Sequence, residues 1–209
     1  LLGCGSCVVP GLLAPAECAA LIAHWPDAER FERTIDMAPK GYGVGAYRYW
    51  KEPLPEPAET LRRELYDILK VAADLHRDDD TIYPETLGEF QDRCRAAGQR
   101  RASSILLRYP TGGVNHPHRD IYGREWFPFQ ALVVLSRRGR DFRGGDFVLM
   151  EKDAPPGAGE TVPLSEGDLL LFCSSFHRAG RRKVELRHAM RPVTRGERFA
   201  LGLVFHMAE

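Results

Sequence analysis

The segment from Leu106 to Gly123 constrains this chain more than any other. It reads L-L-R-Y-P-T-G-G-V-N-H-P-H-R-D-I-Y-G. An alternating apolar run leads into a Pro/Gly turn, and His118 and Asp120 follow that turn with one residue between them. On extended backbone, residues two apart point to the same side. The sequence therefore predicts an imidazole and a carboxylate side by side, directly after a strand.

A second histidine completes this set on another predicted strand. His188 lies in the run R-H-A-M-R-P-V-T-R-G-E-R, and the alternating apolar strand 199–206 follows the last residue of that run, Arg198. Two imidazoles and one carboxylate are the ligands that hold non-haem Fe(II) on one face and leave positions open for substrate and O₂. His118, Asp120 and His188 are therefore the predicted metal ligands. The alternative is a polar strand edge beside a core histidine.

Length and charge limit what the chain can do. Its 209 residues suffice for one domain with a substantial core and are few for two, so residues 1–209 are predicted to form a single domain. The 29 basic residues balance 29 acidic ones, so no overall field attracts nucleic acid or an anionic membrane. No apolar run has the length of a transmembrane helix, and no membrane association is expected. Nothing in the sequence indicates a protein partner.

The five cysteines favour a reducing compartment. They are odd in number and irregularly spaced, which argues against a disulfide framework. Cys4 and Cys7 form a C-x-x-C motif, but no second pair accompanies it to make a zinc site. We therefore expect a cytoplasmic protein.

The first half of the chain is predicted to be mainly helical. Helices are expected from Pro15 to Pro26, after the proline-rich link 53–57, and from about Pro84 to Ala97. The Gly- and Tyr-rich stretch 40–50 is either a mobile segment that covers the substrate or a hairpin packed on the sheet edge. The middle helix carries an apolar stripe at helical spacing, namely Leu61, Leu65, Ile68, Leu69, Ala72 and Leu75.

From Ser103 onward, short alternating runs separated by Gly/Pro turns predict strands to the end of the chain. Eight are expected, near 103–109, 115–121, 128–136, 146–151, 160–163, 168–174, 184–191 and 198–206. Eight short antiparallel strands make a jelly roll. The expected fold class is mainly β with N-terminal helices, with a helical, substrate-covering part at 1–102 and a jelly-roll core at 103–209.

These motifs together resemble the iron- and 2-oxoglutarate-dependent oxygenases, whose core is the double-stranded β-helix. In that superfamily an Arg or Lys nine to eleven residues after the second histidine binds the far carboxylate of 2-oxoglutarate, and Arg198 lies ten residues after His188. A guanidinium suits this role because it matches a carboxylate with two parallel hydrogen bonds. The resemblance implies Fe(II), 2-oxoglutarate and O₂ as cofactor and cosubstrates. It also places Tyr109 beside the 2-oxoglutarate. Gln130 is the polar member of the alternating strand next to it, and because a buried amide needs hydrogen-bond partners, a carboxylate of the cosubstrate is one candidate.

The resemblance narrows, over nearly the full chain, to a bacterial family described as acting oxidatively on methylated, damaged DNA. It implies a dioxygenase that couples the oxidative decarboxylation of 2-oxoglutarate to C–H hydroxylation. The runs that carry it are F-E-R-T-I-D-M (31–37), Y-P-E-T-L (83–87), L-L-R-Y (106–109), H-x-D-x-Y-G (118–123), L-S-x-x-G-R-D-F-x-G-G-D-F-V-L (135–149) and R-H-x-M-x-x-V (187–193).

His177 competes with His188 for the third ligand position. It follows the run F-C-S-S-F and precedes the basic loop R-A-G-R-R-K, which is typical of a turn near the mouth of a sheet. No apolar strand carries an arginine ten residues beyond it, because a turn and a new strand intervene. We therefore assign the metal to His188 and expect His177 to contact either the substrate or one of the metal ligands.

Three hypotheses about the function remain open at this point. The first is oxidative demethylation of alkylated nucleobases in DNA, for which the sequence offers cations near the expected mouth: Arg119, Arg124, Arg137, Arg138, Arg140, Arg178, Arg181, Arg182 and Lys183. The second is hydroxylation of a small anionic metabolite, whose charge the same arginines would bind. The third, a non-catalytic cupin-like binding protein, is disfavoured by the intact ligand set. Predicted substrate contacts are Tyr42, Tyr47, Arg48, Asn115, Tyr122, Trp126 and His177.

Overall fold

Strands make up most of the regular structure, as the period-two alternation of apolar residues predicts. A computed structural model describes residues 5–76, 82–155, 157–179 and 182–209, and only the backbone of 177–179 and 182. The helices in these residues are α1 (Pro15–Ala23), α2 (Ala58–His76) and α3 (Leu87–Ala96). The strands are β1 (Ser6–Val9), β2 (Phe31–Asp36), β3 (Gly43–Val44), β4 (Ala46–Trp50), β5 (Ile105–Tyr109), β6 (Val114–His118), β7 (Phe129–Val134), β8 (Phe142–Gly144), β9 (Phe147–Glu151), β10 (Glu160–Val162), β11 (Leu169–Cys173), β12 (Phe176–Ala179), β13 (Arg182–Met190), β14 (Val193–Gly196) and β15 (Arg198–Leu203).

Two antiparallel sheets carry the fold. The seven-stranded sheet has the order β1-β11-β7-β15-β5-β4-β2. The six-stranded sheet has the order β10-β9-β13-β6-β3, with β12 paired to β13, and β14 pairs with β8 separately. Side chains of both sheets meet in one buried core, where Leu107 of β5 and Leu186 of β13 belong to the same cluster. This arrangement is the predicted jelly roll.

The expected boundary at residue 102 does not divide the sheets. Strands β1, β2 and β4 come from the first half of the chain and join the large sheet, while β3 joins the smaller one. The stretch 40–50 supplies β3 and β4, and β4 lies between β2 and β5 in the sheet. The two strands lie in different sheets and do not pair with each other, so the predicted hairpin at the sheet edge does not describe this stretch. Side chains of this stretch line the cavity described below.

Each of the eight predicted strands has a counterpart, and the described residues contain further strands that the pattern did not predict. Strands β8 and β14 pair with each other through Gly144 and Val193. Both are short, and Gly144 has a φ of 73°, so no run of alternating residues marks them. Their position matters because they lie beside the beginning of β15.

Helices α2 and α3 pack an aromatic layer against the sheets. Tyr66 of α2 stacks on Phe90 of α3 with ring centroids 5.8 Å apart and also meets Phe127 at 5.1 Å. The predicted stripe on α2 is only partly buried, because Ile68 and Leu75 are both 70% exposed. Among the described residues, no helix is long and apolar enough to cross a membrane.

Candidate functional site

The two predicted histidine ligands are cross-strand partners. Strands β6 and β13 pair so that His118 lies opposite His188, and their ring centroids are 4.1 Å apart. The register shifts between His188 and Met190, which marks an irregularity in the ladder at the site. Asp120 follows the end of β6 by two residues. Sheet pairing thus brings together side chains that are distant in the sequence.

The three side chains present their ligand atoms to one point. Nε2 of His188 lies 3.3 Å from Oδ2 of Asp120, and Nε2 of His118 lies 3.7 Å from Oδ1 of the same carboxylate. One ligand atom from each residue lies within 4.8 Å of the other two. Among the described residues, this is the group of His, Cys, Asp and Glu side chains that can hold a metal ion.

Hydrogen bonding and burial prepare both imidazoles to act as neutral ligands. Nδ1 of His118 lies 2.7 Å from the backbone carbonyl oxygen of His116. A proton donated there leaves the lone pair on Nε2, which faces Asp120. His188 lies between the rings of Phe147 and Phe172, at centroid distances of 5.8 and 4.8 Å. Burial, with the neighbouring His118, lowers the pKa of His188, so its ring is neutral at neutral pH.

Opposing effects act on the Asp120 carboxyl, and the charged form prevails. Burial alone raises its pKa, but the neighbouring His118 and hydrogen bonds from His188 and Tyr122 outweigh burial and hold the pKa well below its usual value. The Tyr122 hydroxyl donates to Oδ1. The pKa of Tyr122 is raised, first by burial and then by Asp120, so the phenol keeps the proton that it donates. Gln130 donates through Nε2 to the backbone oxygen of Asp120 at 3.4 Å.

A cavity of about 630 Å³ lies beside the three residues. Both sheets and the stretch 40–50 contribute to its wall. It brings together most of the side chains that the sequence predicted for cosubstrate and substrate, namely Tyr109, Gln130, Arg198, Tyr42, Tyr47, Asn115 and Tyr122.

Arg198 is the most unusual cation in this cavity. It is 2% exposed, and its Nε has no hydrogen-bond partner. Among the described residues, no carboxylate forms an ion pair with its guanidinium. Burial lowers the pKa of Arg198 to about 10, which still leaves it charged at neutral pH. A buried cation without a protein anion is costly, which indicates that a ligand supplies the anion.

Neighbouring residues fix the position of Arg198. Strand pairing sets it opposite Tyr109, whose hydroxyl accepts a hydrogen bond from Nδ2 of Asn115 at 3.2 Å. Gly145 lies so close that a Cβ added there would be 2.9 Å from Cδ of Arg198. The Gly144-Gly145 turn thus leaves room for the arginine beside the cavity.

Three predicted substrate residues are not placed in the cavity wall. Arg48 donates through Nη1 to the backbone oxygen of Trp25 at 2.6 Å, and its guanidinium lies 4.8 Å from the Trp25 ring centroid. The backbone oxygen of Trp126 accepts from the Tyr83 hydroxyl, and Trp126 does not line the cavity. The side chain of His177 lies outside the described residues, as do those of Arg178, Arg181 and Arg182.

Other cavity residues were missed by sequence reasoning. Phe147 and Phe172 enclose His188, and Arg33 and Tyr49 line the cavity. The alternation of residues 31–37 indicated a strand, but its partner could not be predicted because pairing across the sheet is non-local.

The donor set fits Fe(II). Two neutral imidazole nitrogens and one carboxylate oxygen match the facial ligand set of non-haem iron oxygenases. A structural zinc site, by contrast, has four protein ligands, often including cysteine. The described residues bring only these three ligands together here.

Sequence comparison shows the family of the chain. Residues 45–208 match the Oxygenase-NA family, described as "Oxygenase, catalysing oxidative methylation of damaged DNA". The chain is also similar to two uncharacterized proteins, MT2286 and Rv2227, from two strains of Mycobacterium tuberculosis. Each is 31% identical over 199 residues, which covers 88% of this chain and 84% of the relative.

Solved structures share the fold at lower identity. A Pseudomonas putida prolyl-4-hydroxylase is 19% identical with a TM-score of 0.58, covering 98% of this chain and 93% of that one. The viral collagen prolyl hydroxylase of Paramecium Bursaria Chlorella virus-1 is 14% identical with a TM-score of 0.60, covering 97% and 96%. The predicted fold class and resemblance are confirmed. The chain belongs to the Oxygenase-NA family, and it is an oxygenase.

Proposed function

We propose that this oxygenase depends on Fe(II) and 2-oxoglutarate and hydroxylates a C–H bond of a second substrate. His118, Asp120 and His188 would hold the metal, and Arg198 would bind the far carboxylate of 2-oxoglutarate. The observation that carries the proposal is the coexistence of two features in one cavity. A metal-binding triad and a buried arginine, which has no ion-pair partner among the described carboxylates, both line the same space.

When bound, Fe(II) with 2-oxoglutarate and O₂ supplies an oxidative decarboxylation to succinate and CO₂ that is coupled to hydroxylation of a C–H bond. The protein's own residues position the reactants. Arg198 and Tyr109 form the anion-binding end of the cavity, while Phe147 and Phe172 keep water from His188. Tyr122 holds one carboxylate oxygen of Asp120, which leaves Oδ2 turned toward His188.

Succinate release tests the proposal. The purified chain should release succinate from 2-oxoglutarate only with Fe(II) and O₂ present, and a productive substrate should accelerate the release. Asp120→Ala should abolish the signal while the circular dichroism spectrum stays that of the folded protein. His24→Gln, a histidine outside the cavity, serves as the matched control. Release that persists in Asp120→Ala would contradict the assignment.

A methylated nucleobase is a second candidate for the substrate. The family description names damaged DNA, and Tyr42, Tyr47 and Tyr122 offer rings on which a base can stack. On an N-methyl group, hydroxylation would give a hemiaminal that loses formaldehyde. Methylated oligonucleotides and pools of anionic metabolites should be compared in the same succinate assay, with formaldehyde measured in parallel. Acceleration by metabolites alone would exclude the nucleobase.

A further inference from the structure

The cavity continues from the metal-binding triad to a second arginine, Arg33 on β2. Arg33 is half-buried and lines the cavity wall with Tyr47 and Tyr49 of β4. Its Nε is buried without a hydrogen-bond partner. Within the described part of the chain, no carboxylate forms an ion pair with Arg33. The mechanism proposed above makes no use of this cation.

The sheet holds Arg33 in one place. Strand pairing sets it opposite Tyr49, and its guanidinium carbon lies 4.0 Å from the centroid of that ring. Tyr49 is 7% exposed and meets Tyr47 edge to face at 5.4 Å, so the aromatic platform is itself fixed. A guanidinium stacked on a ring keeps its in-plane N–H groups free to donate to an oxyanion. Arg33 is therefore a preorganised donor.

Arg33 and Arg198 lie at separate parts of one sheet. Tyr49 pairs with Ile105 and Tyr109 with Arg198, so the two arginines lie near opposite ends of β5 and on strands three positions apart in the sheet order. With about 3.3 Å per residue along a strand and about 4.8 Å between strands, their backbones are too far apart for one small carboxylate to bind both. Arg198 is thus assigned to the cosubstrate, and Arg33 remains for the other reactant.

Cations elsewhere around the cavity are already neutralised or exposed. Nη1 of Arg119 lies 3.4 Å from Oε1 of Glu185, and Arg101 is exposed to solvent. Two of the arginines first considered for DNA binding also form ion pairs. Nη2 of Arg138 lies 2.6 Å from Oδ1 of Asp146, and Nε of Arg140 lies 2.7 Å from Oδ1 of Asp141. Among the described side chains first considered for DNA, Arg119, Arg138 and Arg140 are therefore in ion pairs, while Arg124 and Arg137 are exposed to solvent. An isolated cation inside a cavity instead suits a ligand with one anionic group.

We propose that Arg33 binds the anionic group of the primary substrate, a small molecule with a planar body and a carboxylate or phosphate. The planar body would pack against Tyr47, Tyr49 and Tyr122, which line the same cavity as Arg33 and the triad. This inference rests on the proposed function for the identity of the site as the place of reaction. The binding of the anion itself requires neither metal nor 2-oxoglutarate.

Two anionic probes and one neutral probe test the proposal: benzoate, phenyl phosphate and benzamide. Binding is followed by NMR titration of the full chain carrying Arg198→Gln, so that binding of an anionic probe at Arg198 does not contribute to the measured affinity. Adding Arg33→Gln should weaken the binding of the preferred anion by at least about tenfold and leave the affinity for benzamide nearly unchanged. Whichever of benzoate and phenyl phosphate binds more tightly identifies the anionic group. Arg33→Lys, which keeps the charge and loses the fork, should restore part of the affinity.

Arg101→Gln is the matched control, because Arg101 lines the same cavity but is exposed. It should change the affinity for the anionic probes by no more than about twofold, as expected for a solvated cation. Equal affinity with and without Arg33→Gln in a folded protein would overturn the proposal. So would tight binding of a single-stranded methylated oligonucleotide that Arg33→Gln leaves unchanged. Failure of the succinate assay with intact anion binding would instead contradict the proposed function alone.

Discussion

The buried Arg198 guanidinium shows how one residue can indicate a ligand. Burying an unpaired charge costs several kcal/mol, about the amount that breaking a buried ion pair costs. Arg198 is 2% exposed, and its guanidinium carbon lies 5.8 Å from the centroid of the Phe142 ring. A carboxylate bound in the cavity would recover this cost. Arg198 is thus expected to contribute to cosubstrate affinity rather than to the stability of the fold.

Arg198→Gln should raise the Kd for 2-oxoglutarate at least about tenfold, because a desolvated charge pair is worth about 2–5 kcal/mol. Fe(II) affinity should change little, since the triad lies on other strands. Isothermal titration calorimetry with Mn(II) in place of Fe(II) provides the measurement. Arg63→Gln, an exposed arginine on α2 that does not line the cavity, is the control. An unaltered Kd would move the cosubstrate contact to Arg191 or Arg195.

His206 makes stability depend on pH. It is 1% exposed, its Nδ1 accepts from the backbone N–H of Phe127 at 3.3 Å, and its Nε2 has no partner among the described residues. Burial lowers the pKa of His206 from 6.5 to about 4. Above pH 6.5 the ring is neutral in both the folded and unfolded states. Between pH 6.5 and 4 only the unfolded state gains the proton, so the free energy of unfolding falls as the pH is lowered.

Linkage gives the size of this effect. Each unit by which the pH falls within this window lowers the free energy of unfolding by about 1.4 kcal/mol. From pH 7 to pH 5, the wild type should therefore lose about 2 kcal/mol more than His206→Gln, which does not titrate. Urea unfolding of both proteins at the two pH values isolates His206 from the other buried histidines. Equal losses in the two proteins would show that His206 is protonated in the folded state.

At the scale of elements, the positions of the strands were predicted better than the pairing between them. The alternation around His118 and after Arg198 correctly indicated β6 and β15, because period two follows from which face is buried. The pairing of β2 with β4, and of β4 with β5, could not be read from the sequence, so the place of Arg33 in the cavity was not predicted. Arg62 on α2 shows the same limit. It lies outside the apolar stripe predicted for this helix, yet it is 1% exposed and pairs with Glu52 and Glu59.

The turn between β8 and β9 should affect cosubstrate binding through Arg198. Gly145 has a φ of 64°, and an added Cβ would meet Arg198 Cδ at 2.9 Å. Gly139 has a φ of 85° with nothing within 4 Å of such a Cβ. Gly145→Ala and Gly139→Ala should each lose about 1–2 kcal/mol of stability from backbone strain. Only Gly145→Ala should also raise the Kd for 2-oxoglutarate. Equal Kd values would mean that Arg198 tolerates the displacement.

At the scale of the whole molecule, charge balance argues for a small substrate. The chain carries equal numbers of basic and acidic residues, and several arginines near the cavity are in ion pairs. Nucleic-acid binding releases counterions, so log K falls with log salt by about 0.7 for each phosphate neutralised on a single strand. We expect oligonucleotide binding to be weak and its salt slope to stay below about 2, equivalent to fewer than about three phosphates.

Fluorescence anisotropy with a labelled oligonucleotide at two salt concentrations gives this slope. Lys183→Ala is an informative variant, because Lys183 is the last residue of the basic loop 178–183. The amino group of Lys183 lies 3.6 Å from the centroid of the Phe176 ring. If that loop contacts phosphates, the variant should flatten the slope. A steep slope that Lys183→Ala reduces would favour DNA over a small anion.

The chemistry of the site could be predicted from the sequence more fully than its substrate. Ligand types and spacings singled out His118, Asp120 and His188, and the structure brings their ligand atoms within 4.8 Å of one another. Substrate contacts depend on which side chains of distant strands share one cavity. Tyr42 and Tyr122 were predicted and line it, whereas Arg48 turns toward Trp25 instead.

Anaerobic titration of Fe(II) tests the central claim most directly, because it requires no substrate. The wild type should bind one Fe(II) per chain. Asp120→Ala and His188→Ala should each weaken binding by more than about a hundredfold, which exceeds the loss expected from a residue that only orients a ligand. His116→Gln, at the same mouth, should leave the affinity nearly unchanged. Retained affinity in His188→Ala, with loss in His177→Ala, would contradict the assigned triad.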